Sequence, residues 1–175
     1  MSKSIALLLF VVSTAVKGEN FDIAKDYVAE GACPFECCTY RRWEVTKETQ
    51  LYERKKQESQ KVVIVKIGDS IQALTGDVHV RPLKLTVVKT HKNHQKGDVI
   101  WLLNYYGEGN YTAWKNGEYV SVELSFSPYQ KSKPIDWAVI EGSHKMDWWV
   151  KIKAANGLEG WTNEVGNFSN QDSCA

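Results

Sequence analysis

The stretch YTAWKNGEYVSVEL, residues 111–124, decides the fold class. Asn116-Gly117 stands between two runs in which apolar or aromatic residues alternate with polar ones. Asn-Gly readily takes the left-handed backbone of a two-residue hairpin turn, so this is a β-hairpin signal with a physical cause. Working outward, the same period-2 pattern recurs on both sides. Upstream lie WEVTKETQLYE (43–53), KVVIVKI (61–67), SIQALTGDVHV (70–80), LKLTVVKTH (83–91) and DVIWLLNYY (98–106). Downstream lie WAVIEG (137–142), WWVKIKA (148–154) and EGWTNE (159–164). Gly68-Asp69, Gly76-Asp77, GEGN (107–110), SPYQKSKP (127–134) and AANG (154–157) read as breaks between strands. Only NFDIAKDYVAE (20–30) carries weak helical spacing, read as a short helical turn or a lead-in. The class is all-β with short strands, which implies small barrels or a sandwich.

The first 18 residues, MSKSIALLLFVVSTAVKG, set a basic residue before an apolar run and small residues after it, the layout of a secretory signal peptide. The run from Ile5 to Val12 falls far short of the roughly 20 residues that a spanning helix needs, so no stable membrane insertion is expected after cleavage. Without Lys3 and Lys17 the chain carries 20 basic and 21 acidic residues. A nearly neutral chain has no electrostatic footprint for nucleic acid. Export also assigns the four cysteines to disulfides. Cys37 and Cys38 are adjacent and cannot bridge one another without strain. Two pairings remain: Cys33–Cys38 with Cys37–Cys174, or Cys33–Cys37 with Cys38–Cys174. In both, the C-terminus is tied to the start of the folded region.

The pattern offers little chemistry of its own. There is no Gly-x-Ser-x-Gly elbow, His-Glu-x-x-His pair or phosphate-cradling glycine loop. With the cysteines oxidised, no thiolate nucleophile remains. His91 and His94 in THKNHQKG are read as solvated loop residues, lacking the further ligands of a metal site. Asn110-Tyr-Thr and Asn167-Phe-Ser match the glycosylation acceptor pattern and are read as chance matches. No enzyme, cofactor or metal is expected. The aromatic residues carry what signal there is. Tyr105-Tyr106 and Trp148-Trp149 are adjacent pairs, and neighbours on a strand face opposite sides, so only one member of each can enter a given core. Tyr105, Tyr106, Trp114, Trp148, Trp161 and Asn163 are the candidates for an exposed ligand groove. The competing reading packs these rings between barrels and under loops.

DWWVKIKAANGLEGWTNEVGNF (147–168) resembles the closing portion of a bacterial SH3-type module: a strand containing Trp-x-Val, a short Asn-Gly turn, a Gly-Trp pair and an Asn-Phe. VTKETQLYERKKQESQKVVIVKIGDSIQAL (45–74) resembles the opening of such a module. ACPFECCTYRRW (32–43) and the terminal Ser-Cys are similar to a group of uncharacterised exported bacterial proteins that carry these modules. KIGDSIQAL (66–74) beside QKGDVIWLL (95–103) also reads as a duplication. The resemblance implies two small SH3-like barrels, side by side or interleaved, with a disulfide-stapled N-terminal segment. It further implies a periplasmic or extracellular binding role toward a peptide, peptidoglycan or protein ligand. The expected division is a signal peptide over 1–18, a lead-in with the cysteine cluster over 19–42, modules over 43–96 and 97–170, and a tail over 171–175. The alternatives are an inhibitor or immunity-type protein that docks on a secreted enzyme, and a hydrolase whose site lacks a recognisable motif.

Overall fold

The computed structural model describes residues 25–125, 135–142 and 144–174; the signal peptide read over 1–18 and the SPYQKSKP loop lie outside them. Among the described residues the chain is all-β, with one 3₁₀ turn at Val165–Asn167 and no α-helix. In chain order the strands are β1 (Tyr27–Glu30), β2 (Arg42–Val45), β3 (Thr49–Tyr52), β4 (Lys61–Val65), β5 (Ser70–Arg81), β6 (Leu83–Val87), β7 (Val99–Gly107), β8 (Asn110–Lys115), β9 (Glu118–Glu123), β10 (Ala138–Glu141), β11 (Lys145–Lys153), β12 (Glu159–Thr162) and β13 (Phe168–Ser169). The Asn-Gly signal is realised as read: Asn116 (φ 51°) and Gly117 (φ 88°) form the left-handed turn between β8 and β9.

The strands form two sheets. The larger runs β13-β2-β5-β11-β12-β3-β4, with β1 paired to the second half of β5; the smaller runs β10-β6-β7-β8-β9. The smaller sheet, 83–141, is therefore nested inside the larger, which resumes at Lys145. The expected cut between 96 and 97 falls inside the β6–β7 hairpin, and β11 to β13 return to the first sheet. Long-range pairing of β5 with β11 sets this arrangement, and no local signal announces it. Within NFDIAKDYVAE, Tyr27–Glu30 departs from the helical reading, being extended and paired to β5, while 20–24 lie outside the described residues. Four residues with a ready partner strand outweigh weak helical spacing.

Each sheet has its own core. The larger encloses Trp43, Leu51, Val65, Ile71, Val78, Val80, Trp148, Val150, Ile152 and Phe168. Here Trp43 packs edge-on to Trp148, with ring centroids 5.9 Å apart, and Phe35 meets Trp148 at 5.8 Å. Edge-to-face contacts of this kind stabilise beyond the area they bury. A polar chain finishes the cluster: Trp148 Nε1 donates to the Tyr40 hydroxyl at 3.0 Å, and that hydroxyl donates to the Ala32 carbonyl. Burial pushes the Tyr40 hydroxyl up to about 12, with the Trp148 hydrogen bond opposing, so it stays a donor at neutral pH. Gly76-Asp77, read as a break, lies within β5. A Cβ at Gly76 would sit 2.6 Å from Trp148 Nε1 and 2.8 Å from the Trp149 carbonyl oxygen, so glycine is there for close packing. The register with β11 skips Leu74, a bulge that shifts the inward phase from Ile71 and Ala73 to Gly76, Val78 and Val80. The smaller sheet packs Leu83, Leu85, Ile100, Leu102, Tyr105, Tyr111, Val122 and Trp137.

All four cysteines are paired, Cys33 with Cys38 and Cys37 with Cys174. Of the two pairings left open by spacing, the structure has the first, with Cα–Cα distances of 5.7 and 5.6 Å, and Cys37 takes a positive φ of 60°. Paired cysteines point to an oxidising, exported environment. Among the described residues no helix is long and apolar enough to cross a membrane.

Candidate functional site

Opposite its core, the smaller sheet presents a row of aromatic rings. The two-residue turn sets Trp114 against Tyr119, and the β7–β8 register sets Trp101 against Trp114. Trp101, Trp114 and Tyr119 thus run side by side across three strands. The Trp114 and Tyr119 rings meet edge to face at 4.8 Å and 74°. Beyond them Tyr119 touches Tyr27 of β1 at 6.3 Å, linking the row to the larger sheet. At the other end Lys84 lies opposite Trp101 and pairs with Glu141 at 3.0 Å, and Thr86 donates to the same carboxylate. Tyr106 crosses β8 to share a 2.6 Å hydrogen bond with Ser121, leaving a hydroxyl rim beside the rings. Tyr119 is 57% exposed and Tyr106 49%. The open face of an antiparallel sheet ordinarily carries polar side chains, so core packing does not account for this row. Burial, and secondarily the Tyr119 phenol, push the Tyr27 hydroxyl above its ordinary value.

The expected groove residues do not form one groove. Tyr106 and Trp114 belong to the aromatic row. Tyr105 points the other way, 8% exposed against Tyr111 at 5.1 Å, and Trp148 lies in the larger core at 7%. Both are therefore packing residues, placed inward by strand alternation. Trp161 and Asn163 sit on the outer face of the larger sheet, engaged by the loop between β3 and β4. Lys55 Nζ lies 5.1 Å over the Trp161 ring and 2.5 Å from Asp77, while Gln57 donates to Asn163 at 2.9 Å. Asn163 in turn donates to Asp147 at 3.1 Å, whose other oxygen accepts Trp149 Nε1 at 2.7 Å. Burial alone would push the Asp77 carboxyl up, but Lys55 and the Gly31 N–H hold it below its ordinary value. This face is tied down by its own loop. The aromatic row, with Trp101 and Trp114 half-buried and Tyr119 exposed, is covered by no such loop among the described residues.

Three members of the row, Tyr27, Trp101 and Tyr119, are absent from the expected set. Tyr119 was accessible from the turn alone, because a two-residue loop at 116–117 fixes 114 opposite 119. Trp101 requires the irregular register of the β7–β8 hairpin, and Tyr27 the long-range pairing of β1 with β5. His91 and His94, expected as solvated, instead form a narrow bridged hairpin, and both stack nearly parallel to Trp137, at 4.8 and 5.7 Å. Burial is the main cause of the lowered His94 value, with the Lys115 ammonium adding to it.

Comparison with protein-family models, with curated proteins and with solved structures finds no match for this chain.

Proposed function

We propose that the chain is an exported, non-enzymatic binding module that takes an extended cell-wall strand across the row Trp101, Trp114 and Tyr119. On this reading each sheet and its core is an SH3-like barrel, the second inserted into the first. One observation carries the proposal: three aromatic side chains stand in register on the solvent side of a sheet whose core is already full. Tryptophan and tyrosine offer large, stiff apolar faces with a polar tip, suited to stacking on sugar rings and their amide substituents. Thr86, Tyr106 and Ser121 beside them supply hydroxyls that hydrogen-bond a polar chain.

Cosedimentation with purified peptidoglycan tests this. The mature protein is expected to pellet with the polymer, and Trp114→Ala or Tyr119→Ala to leave it in solution while remaining folded. No pelleting by the wild-type protein overturns the proposal. Stoichiometric capture of a secreted enzyme in its place would establish the inhibitor reading.

A further inference from the structure

The chain holds two Asn-Gly turns, Asn116-Gly117 between β8 and β9 and Asn156-Gly157 between β11 and β12. An asparagine before glycine is prone to lose its side-chain amide, because glycine puts no side chain in the way of its own backbone nitrogen. Both asparagines are exposed, so access does not separate them. Their surroundings do. Asn156 Oδ1 accepts the Leu158 N–H at 3.1 Å, and the Gly157 N–H donates to the Ala154 carbonyl at 2.9 Å, so both reacting groups are held. Among the described residues, neither the Asn116 amide nor the Gly117 N–H has a hydrogen-bond partner. Position adds a second difference. β9 is the last strand of the smaller sheet, whereas the β11–β12 hairpin is flanked by β5 and β3. Imide closure needs the turn to open, and the tip of an edge hairpin opens locally at less cost than a turn between strands paired on both sides.

We propose that Asn116 is a modification site: in the folded protein it deamidates spontaneously while Asn156 is spared. The Gly117 nitrogen attacks the Asn116 side-chain carbonyl carbon, the side-chain amide leaves as ammonia with the proton from Gly117, and a cyclic imide forms. Water opens the imide. Attack on the side-chain carbonyl yields aspartate, and attack on the main-chain carbonyl yields isoaspartate, whose backbone is longer by one methylene. A two-residue turn with both residues left-handed, Asn116 at φ 51° and Gly117 at φ 88°, has no room for the extra atom. Turn geometry fixes the register beyond it, so the cross-strand pair of Trp114 with Tyr119 comes apart. Loss of polymer binding on ageing rests on the aromatic row being the binding face; the choice of Asn116 over Asn156 does not.

The mature protein is held in mildly alkaline buffer, and samples are mapped by mass spectrometry after pepsin digestion in acid, where no further imide forms. Native protein is expected to gain the deamidation mass at Asn116 well before Asn156. Protein held in urea should gain it at both together, since both sites are Asn-Gly once the fold is gone. Asn116→Gly keeps a residue that accepts the left-handed turn and removes the amide, so it should fold as the wild type does and gain no mass there. Pelleting with peptidoglycan should fall as isoaspartate accumulates in the wild type and stay constant for Asn116→Gly. The proposal is overturned if native protein modifies Asn156 first or both sites at one rate, or if neither changes over a period that converts the urea-held protein. Full pelleting by isoaspartate-bearing protein would overturn the loss of register. Fresh protein that fails to pellet sinks the binding reading instead, and the mapping still decides between the two asparagines.

Discussion

Removing the Cys37–Cys174 tie should cost far more than removing Cys33–Cys38. The two bridges span 137 and 5 residues respectively. In the chain-entropy account, closing those loops in the unfolded chain is worth about 5 and about 2 kcal/mol. Native contacts at the C-terminus do not rely on the long bridge alone. Thr39 N–H donates to the Gln171 carbonyl at 2.9 Å, Ser173 N–H to the Cys37 carbonyl at 2.8 Å, and Arg41 Nη2 to the Asp172 carbonyl at 2.6 Å. The folded state should therefore survive the double change Cys37→Ser with Cys174→Ser, and the loss should arise in the unfolded ensemble. Urea unfolding followed by tryptophan fluorescence is the assay. The long-bridge variant should lose about 3 kcal/mol more than Cys33→Ser with Cys38→Ser. Its denaturant slope should also rise, because the unfolded chain is no longer held compact. Equal losses for the two double variants, or a larger loss for the short bridge, would refute the reasoning.

Trp43→Ala, which empties a fully buried position, should cost about 3–5 kcal/mol, whereas Trp114→Ala on the open face should cost well under that and abolish polymer binding. Comparing thermal unfolding with cosedimentation separates the two effects. Gly76→Ala forces a methyl against Trp148 and the Trp149 carbonyl, and chemical denaturation should report a loss of about 1–3 kcal/mol. His144 makes a 2.7 Å hydrogen bond to the Leu103 carbonyl, so its Nε2 carries the hydrogen and its buried Nδ1 is bare and unpartnered. Burial pushes its value below the ordinary 6.5, with the Leu103 bond opposing. A folded value below the unfolded one means that the unfolded chain binds the extra proton. Its contribution to stability is thus full above the unfolded value and is lost as pH falls from there through the lower folded value. His144→Gln should reduce the pH dependence of unfolding free energy in that window; an unchanged slope would contradict the assignment.

Local signals carried most of the strand inventory. The Asn-Gly turn, the glycine-bearing break at 154–157 and the alternation on either side appear in the structure nearly where they were read. Two kinds of information were not local. The first is register: the long-range pairing of β5 with β11 produces the nesting, and two irregularities inside the β7–β8 hairpin set which residue meets Trp114. Neither leaves a mark in a short window, because a strand's own alternation does not say which neighbour it meets. The second is a residue used against its common role. Gly76 looks like a turn residue but serves as a gap for the Trp148 and Tyr40 side chains, and the bulge at Leu74 then reverses which face follows. Adjacent aromatic pairs were correctly expected to split between two faces. Which member went inward depended on register that the sequence does not announce, the β5–β11 pairing for Trp148 and the shift between Leu102 and Tyr105 for Tyr105, and both proved to be packing residues.

The nested sheet ends beside the strand on which it began before handing the chain back. Its first and last strands, β6 and β10, are hydrogen-bonded neighbours, with Leu85 facing Ile140, so Arg81 and Lys145 emerge side by side. Topologically, everything from Pro82 to His144 is one very large loop on a β5–β11 hairpin. Such a segment is modular cargo: excised and replaced by a tight Asn-Gly turn, it should leave the host sheet able to pair in its native register. Lineages of this architecture could then exchange the inserted unit, and with it the aromatic row, without redesigning the stapled scaffold that carries it.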